Sequence, residues 1–322
     1  MSEITIIIPN YNGIEFIEKC LISLENQTFE DIDVIVVDNG STDGSREIVE
    51  DRFPEVTCIA LPVNTGFCGA VNTGIIESDS PYILLLNNDT EAAPEFTQNL
   101  YQAIQEDKNI FSVCGKMVQY HHRNYLDDTG NYYCALGWAF ARGKNRPVTR
   151  YNKTTPVFAS CAGAAIYRRD ILDQIGYFDE NHFAYLEDID IAYRARIWGF
   201  RNIYTPDAVV YHVGSGSSGS LYNDFKVKHS SRNSIYLIYK NMPFLQILIN
   251  LPFLLIGFIV KSFFFARKGM GKEYIHGLAT GIALCRKGRR EGCKVRFRFQ
   301  NLKHYAKIQL ELWWNMVLRI AY

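Results

Sequence analysis

The stretch Tyr82-Ile-Leu-Leu-Leu-Asn-Asn-Asp89 limits what this chain can fold into more than any other. Its first five residues hold no charge and no glycine, as suits a central strand covered on both faces. Polarity then switches within one residue. In open α/β sheets ligands collect beyond the carboxyl ends of the strands, so Asn87, Asn88 and Asp89 are expected at the lip of a crevice. Asp89 is the leading candidate for a metal ligand. Taken alone, an Asp in this place is more often a turn residue or a helix N-cap, and residues 90–94 read as a helix start.

The residues before it repeat one unit. A β-branched strand over 4–8 stops at Pro9, and Asn10-Tyr-Asn-Gly13 turns into a helix over 14–26 with Phe16, Ile17, Cys20, Leu21 and Leu24 on one face. A second strand, 32–37, ends in Asp38-Asn-Gly-Ser-Thr-Asp-Gly-Ser45; a third, 56–61, leads into a glycine-rich helix opening from Asn64 to Gly74. Strand, polar turn and helix in series mark right-handed βαβ units, hence an α/β class with a Rossmann-like, mostly parallel central sheet flanked by helices. Asp38 suits hydrogen bonds from a base or ribose, while Ser41 and Asp43 serve equally as helix caps. The N–H groups after Asn64 suit either a phosphate or close helix–sheet packing. Neither G-x-G-x-x-G nor G-x-x-x-x-G-K-[ST] occurs, which takes away the main support for a dinucleotide or P-loop site. The eight cysteines form no C-x-x-C pair, so reduced thiols in a cytoplasmic protein are expected. The first residues enter a strand without a basic region or cleavage site, and no secretion signal is expected.

Ile8-Pro-Asn-Tyr-Asn-Gly13, Val36-Val-Asp-Asn-Gly-Ser-Thr-Asp-Gly44, Asn64-x-Gly-Phe-x-Gly-x-x-Asn72 and Leu85-Leu-Asn-Asn-Asp89, in this order and spacing, resemble the nucleotide-binding half of the family 2 glycosyltransferases. The resemblance implies a GT-A fold and transfer of a sugar from a nucleoside-diphosphate donor with inversion at the anomeric carbon. It assigns donor binding to Pro9, Asn10, Tyr11, Asp38, Asn64, Gly66, Gly69, Asn72, Asn87, Asn88 and Asp89. It also implies a divalent cation, Mg²⁺ or Mn²⁺, held on the diphosphate by Asp89. Asn87 stands where the family's Asp-x-Asp motif has its first carboxylate.

Beyond this half, a helix over 96–105 and a strand over 111–118 extend the sheet, and residues 120–150 show no period and read as an irregular region near the acceptor side. A strand within 157–170 carries the small residues Ala162, Gly163 and Ala164, which admit a ligand or tight packing. Glu187 and Asp188 fall at the N-terminus of a helix over 189–198, where free N–H groups favour carboxylates, and capping alone accounts for one of them. The resemblance makes Asp188 the catalytic base, with Glu187 orienting the base or the acceptor, and puts Gly163 beside them on the acceptor side. Asp190 is expected to pair with Arg194 one turn on. His212 ends another strand; such a histidine is more often structural, but the resemblance makes it a second metal ligand. The Gly/Ser run 214–220 is expected to fold over the diphosphate as a lid. The Gln-x-x-Arg-Trp motif of processive relatives is missing, and Arg194-Ala-Arg-Ile-Trp198 only echoes it, which favours transfer of a single sugar. Gly163-Ala-x-x-x-Arg-Arg169, Gly176-x-Phe-Asp-Glu180, Tyr185-Leu-Glu-Asp-Ile-Asp190, His212-x-Gly-Ser215 and Arg232-Asn233 resemble the branch of bacterial rhamnosyltransferases in cell-wall, O-antigen and capsule assembly. That branch implies dTDP-L-rhamnose as donor and a glycan or lipid-linked saccharide as acceptor, with UDP-galactose, UDP-glucose or UDP-GlcNAc as alternative donors. A sugar nucleotidyltransferase would carry a G-x-G-T-R loop where Pro9-Asn-Tyr-Asn12 stands, and a non-catalytic nucleotide-sugar-binding module has no need of Asp188.

The formal charge is zero but divided: from Lys261 onward fourteen Lys/Arg face three Asp/Glu, so a body of net −11 carries a tail of net +11. Residues 235–265 are strongly apolar, with Pro243 and Pro252 expected to break any straight span into a helical hairpin or in-plane segments. Arg286, Lys287, Arg289, Arg290 and the basic residues of 294–298 are then set to meet anionic head groups, and Trp313, Trp314 and Tyr322 suit an interface. The expectation is a cytoplasmic enzyme, peripheral on the inner face of the cell membrane, with a homodimer interface as the other use of this surface and no nucleic-acid partner. Residues 1–233 are read as the transferase domain (1–118 nucleotide-binding half, 119–233 acceptor-binding half) and 234–322 as a C-terminal helical region.

Overall fold

The computed structural model describes residues 2–214 and 222–321. In the first half, strands β1 (Ile4–Asn10), β2 (Ile32–Asp38), β3 (Thr57–Ala60) and β4 (Tyr82–Leu86) alternate with helices α1 (Ile17–Glu25), α2 (Ser45–Arg52) and α3 (Gly66–Glu77). Then follow β5 (Thr90–Ala92), α4 (Phe96–Gln105), β6 (Ile110–Gln119), β7 (Leu126–Asp128), β8 (Asn131–Cys134), β9 (Trp138–Ala141), β10 (Thr155–Val157), β11 (Ala164–Arg168), α5 (Arg169–Ile175), α6 (Glu187–Ile197) and β12 (Arg201–His212). Four helices close the chain: α7 (Asp224–Asn241), α8 (Phe244–Arg267), α9 (Gly271–Arg290) and α10 (Leu302–Ala321).

The main sheet runs β10-β12-β6-β11-β4-β1-β2-β3, with β5 on β12 and β7 on β6. Pairing is parallel across β3-β2-β1-β4, and β11 enters antiparallel between β4 and β6. Register delivers the site. Asn10 lies opposite Asp38, so the last residues of β1 and β2 emerge side by side. Ile4 opposes Tyr82, and the same offset carried past the strand ends brings Asn88 level with Asn10. Ala164 opposes Leu86, which sets Gly163 against Asn87, and His212 opposes Thr90, which sets it beside Asp89.

Because a sheet side chain alternates faces, the near-continuous apolar strands need helices on both sides. Ile4, Ile6 and Ile8 pack with α1, α2 and α4; Ile7, Ile35 and Val37 pack with α3, α5 and α6. Helix α6 is buried all round: Ile191 and Ala195 face the sheet, while Ile189, Ala192, Tyr193 and Ile197 join a third core with the β8–β9 hairpin and residues of α7, α8 and α10. The hairpin tip rests on α8. Gly257 has no room for a side chain against the Leu136 carbonyl, and Trp138 Nε1 donates to Gly257 O at 3.2 Å.

Three expectations change. Residues 90–92 form a strand because pairing with β12 satisfies their backbone, so no helix starts there. The run 120–150 is partly regular, holding β7, β8 and β9. Pro252 does not break α8: the ring costs about 3 kcal/mol in a helix interior, and packing of Leu254 and Phe258 with the hairpin core keeps the 24-residue helix whole. Among the described residues α8 is the one helix long and apolar enough to cross a bilayer, with mean hydropathy 2.1 and 17 % of its best window buried. The expected boundaries at 118/119 and 233/234 fall inside β6 and α7. All eight cysteines are free thiols.

Candidate active site

The residues expected on the donor side begin with a row of buried amides and a carboxylate at the strand ends. Asn10 Nδ2 donates to Asp38 Oδ1 at 3.0 Å and to Ser45 Oγ at 2.9 Å, and Asn88 Nδ2 donates to Asn10 Oδ1 at 2.8 Å. Asp38 Oδ2 accepts from Ser41 N at 3.1 Å. The loops are tied together by Asn12 N donating to Ser41 Oγ and Ile14 N to Asp43 Oδ2, both at 2.9 Å, so Ser41 and Asp43 brace two turns rather than only cap α2. Pro9 is half-buried and Tyr11 exposed above this row. Asn64 Oδ1 accepts from Gly66 N at 2.8 Å and from Asn39 Nδ2 at 3.1 Å, while Asn39 Oδ1 accepts from Thr65 N at 2.8 Å. Gly66 has φ +79°, and a Cβ there would meet the Phe183 ring; one on Gly69 would meet Thr65 Oγ1. Asn72 faces inward: its amide donates to Phe178 O at 2.8 Å and accepts from Phe178 N at 3.0 Å, which locks α3 to the segment before Glu187.

Asp89, the expected metal ligand, lies beyond the end of β4. Its Oδ1 is 3.2 Å from His212 Nε2, and the other ring nitrogen, Nδ1, is 2.8 Å from Asp127 Oδ2. Asp127 also takes Lys144 Nζ at 2.7 Å. Burial disfavours a charged ring, but the hydrogen bonds to Asp127 and Asp89 outweigh it and raise His212 to about 9 in the metal-free protein. The donor set fits a hard divalent cation. A carboxylate behind Nδ1 keeps the proton on that nitrogen and turns the Nε2 lone pair outward, as in carboxylate–histidine–metal triads. Adjacent donors on a six-coordinate cation with bonds of about 2.1 Å lie about 3 Å apart, close to the Asp89–His212 spacing. Among the described residues no set of three His, Cys, Asp or Glu gathers around a metal position; two protein donors suffice where phosphates and water fill the shell. A cleft of about 250 Å³ opens beside Asp89, lined among others by Phe16, Lys19, Tyr120 and His121.

Gly163, Glu187 and Asp188 are the residues expected on the acceptor side. Asn87 N donates to Gly163 O at 2.9 Å, and a Cβ on Gly163 would stand 2.7 Å from Asn87 Nδ2, so this glycine keeps the Asn87 amide in place. Asp188 Oδ2 accepts from Asn131 Nδ2 at 2.7 Å and Oδ1 from Ile189 N at 2.7 Å. Burial pushes the pKa of Asp188 up, and burial plus the neighbouring Asp188 charge pushes Glu187 higher still; among the described residues Glu187 Oε2 is buried without a hydrogen-bond partner. Burial also raises Asp128, to about 7.

The peptide leading into α6 is held in a costly shape. Phe183, Tyr185 and Leu186 have φ of 63°, 72° and 67°, a conformation that costs side-chain-bearing residues roughly 1–3 kcal/mol each. Asn233 Nδ2 donates to the carbonyls of His182, Ala184 and Tyr185 at 2.9, 2.8 and 2.7 Å, and Arg232 Nη2 to His182 O at 2.6 Å. Arg232-Asn233 is therefore the clamp that fixes where Glu187 and Asp188 point. Asp190 meets Arg194 Nε at 3.1 Å as expected, and also Lys240 and Asn241. The lid expected over 214–220 lies, apart from Gly214, outside the described residues.

Sequence reasoning missed Asn39, Asp127 and Asn131. The signal for the last two was the acidic pair closing on Gly130 in Asp127-Asp-Thr-Gly130, hidden in a stretch without period. The structure brings Asn10, Asp38 and Asn88 together, joins Asp89 to His212, and joins Gly163 to Asn87.

The profile of Glycosyl transferase family 2 matches residues 5–176. The chain is similar to the N-acetylglucosaminyl-diphospho-decaprenol L-rhamnosyltransferase of Mycobacterium tuberculosis, 24 % identical over 239 residues covering 66 % of this chain and 77 % of that protein. It is also similar to the O-antigen chain rhamnosyltransferase WbaN of Salmonella anatum, 27 % identical over 214 residues and 66 % of each chain. Among solved structures, GalNAc-T7 with UDP, GalNAc and Mn²⁺ superposes with a TM-score of 0.61 at 14 % identity, over 74 % of this chain and 48 % of that one. That likeness carries the fold, which is GT-A. With the profile spanning more than half the sequence, the chain belongs to glycosyl transferase family 2 and is a glycosyltransferase.

Proposed function

We propose that the enzyme is an inverting, metal-dependent transferase that moves one sugar, L-rhamnose from dTDP-L-rhamnose, onto a lipid-linked saccharide at the inner face of the cell membrane. The observation that carries this reading is the Asp89–His212 pair, backed by Asp127, together with Asp188, a carboxylate whose pKa burial raises toward neutrality. The row Asn10, Asp38 and Asn88 is suited to hold the nucleoside. Asp89 and His212 Nε2 would hold Mg²⁺ or Mn²⁺ against the diphosphate. The cation, when bound, neutralises charge on the departing diphosphate. Asp188 accepts the acceptor hydroxyl proton as that oxygen bonds to the anomeric carbon and the carbon–phosphate-oxygen bond breaks, and attack opposite the leaving group inverts the centre. Glu187, kept neutral by its raised pKa, would donate a hydrogen bond to the acceptor or to Asp188.

The choice of rhamnose rests on the two rhamnosyltransferase relatives. The membrane reading rests on α8, whose outward residues Phe244, Leu255, Ile259 and Phe263 are more than half exposed, together with the basic tail. Transfer assays with Mn²⁺ test the donor. dTDP-L-rhamnose is expected to be consumed fastest, and preference for UDP-galactose, UDP-glucose or UDP-GlcNAc overturns the rhamnosyl assignment. Unchanged donor binding and turnover in EDTA overturn the metal role.

A further inference from the structure

Residues 127–131 touch both halves of the site. At one end Asp127 Oδ2 lies 2.8 Å from His212 Nδ1; at the other Asn131 Nδ2 donates to Asp188 Oδ2 at 2.7 Å. Three residues, Asp128, Thr129 and Gly130, separate the two contacts, and every feature of that chain makes it stiff. Asp127 and Asp128 lie in β7, paired with β6 through Met117 opposite Asp128. Asp128 closes a tight turn by accepting from Gly130 N, and Gly130 has φ +102° with no space for a Cβ against Val157. Thr129 N and Oγ1 both donate to Arg142 O, at 3.1 and 2.9 Å. Asn131 N and Ala159 N exchange hydrogen bonds with each other's carbonyls at 2.8 and 3.1 Å. Lys144 fixes the far oxygen of Asp127.

We propose that this segment is a rigid bridge that sets the distance between the cation side and the base side of the reaction, with Asp127 and Asn131 as positioning residues. Asp127 acts through His212: it holds the ring so that Nε2 faces Asp89. Asn131 acts through Asp188: by donating to one oxygen it fixes the carboxylate plane and leaves the remaining lone pairs for the acceptor hydroxyl. Neither residue needs to touch substrate. The inference rests on the roles of Asp89, His212 and Asp188 proposed above, and it adds that one short peptide aligns them, which matters because a misplacement of about 1 Å in a reacting group costs on the order of 100-fold in rate.

The two ends predict different losses in the full-length protein. Asp127→Ala weakens Mn²⁺ binding, read by the electron paramagnetic resonance of free Mn²⁺ in the presence of dTDP, by roughly 10–100-fold, as loss of a partner behind a metal-bound histidine does. Asp127→Asn, which keeps an oxygen for Nδ1, lies between it and the parent. Asn131→Ala lowers kcat by roughly 10–100-fold, within the range general-base catalysis supplies, and leaves Mn²⁺ affinity and donor KM unchanged. Asn131→Asp, of the same shape, loses kcat at least as severely, because it sets a carboxylate where Asp188 needs a donor. A structural role alone would lower the melting temperature and shift all parameters together. Mn²⁺ affinity within twofold of the parent in Asp127→Ala, or kcat within twofold in Asn131→Ala, overturns the bridge. The functional reading itself fails differently, through a parent protein that neither binds Mn²⁺ with dTDP nor transfers sugar.

Discussion

Lys240 Nζ lies 2.8 Å from Asp190 Oδ2, with both side chains buried, and so fastens α7 to the helix that begins with Glu187 and Asp188. The same ammonium reaches Asp179 Oδ2 at 2.7 Å. Removing one member of a buried ion pair leaves its partner uncompensated and typically costs about 3–5 kcal/mol. Lys240→Met is expected to lose stability on that scale in urea unfolding. A loss below about 1 kcal/mol, the level of exposed pairs, would mean Arg194 and Asn241 satisfy Asp190 by themselves.

The raised pKa of Asp188 makes a kinetic prediction. As the proposed base, Asp188 must be unprotonated, so kcat/KM, which reports the free enzyme, falls as pH drops through a value above the ordinary Asp range of about 3.9, and Asp188→Asn loses transfer while keeping donor binding. Normal turnover by this variant removes the base from its role.

Glu187 has a thermodynamic counterpart. A carboxyl whose folded pKa is raised contributes stability that is full below its unfolded pKa and lost as pH rises through the folded one. Glu187→Gln is therefore expected to melt above the parent on the alkaline side of that folded value, to match it in acid, and to transfer sugar more slowly. Equal melting temperatures at every pH would show that burial of Glu187 carries no penalty.

Two glycines should fail in different ways. Gly66→Ala meets both a positive φ and the Phe183 ring, and the backbone term alone is worth about 1–3 kcal/mol, so lower thermal stability is the expected reading. Gly163→Ala presses only on the Asn87 side chain. It should raise substrate KM with little change in melting temperature, and the reverse pattern would remove Gly163 from the site.

For the apolar flank, Leu255→Ser, Ile259→Ser and Phe263→Ser together alter side chains that are 54, 54 and 70 % exposed. Sedimentation with anionic vesicles should be lost while transfer to a water-soluble acceptor persists. Undiminished vesicle binding would move the contact elsewhere, and a change in subunit number would favour the dimer.

Much of the site was readable from the chain because it follows from register. Strands that end in Asn10 and Asp38, and one that runs into Asn88 two residues past its end, need only pair in parallel to bring these residues together, and their apolar runs say that they are strands. Asp89 stood out by its place after a strand, but His212 was legible as its partner only through family resemblance, since His212 reaches Asp89 by the pairing of β5 with β12, and three residues of strand carry too little pattern to be seen. Asn131 and Asp127 were invisible for a related reason: β7 and β8 hold three and four residues, too few to show a period, and β7 pairs with β6 in an irregular register while β8 pairs with β9 and, at Asn131, through an isolated bridge. Pro252 misled for the opposite reason, because a strong local rule gave way to packing.

The hairpin whose root holds the Asp188 carboxylate has its tip seated on Gly257 of α8, and Asn315 of α10 donates to Tyr133 O at 2.8 Å along its flank. Helices α8 and α10 are thus a floor beneath the hairpin that holds Asp188. Trimming them to obtain a more tractable protein would take away the surface on which the proposed base is levelled, and any bilayer that tilted α8 would be pushing, through one β-ribbon, on the Asp188 carboxylate.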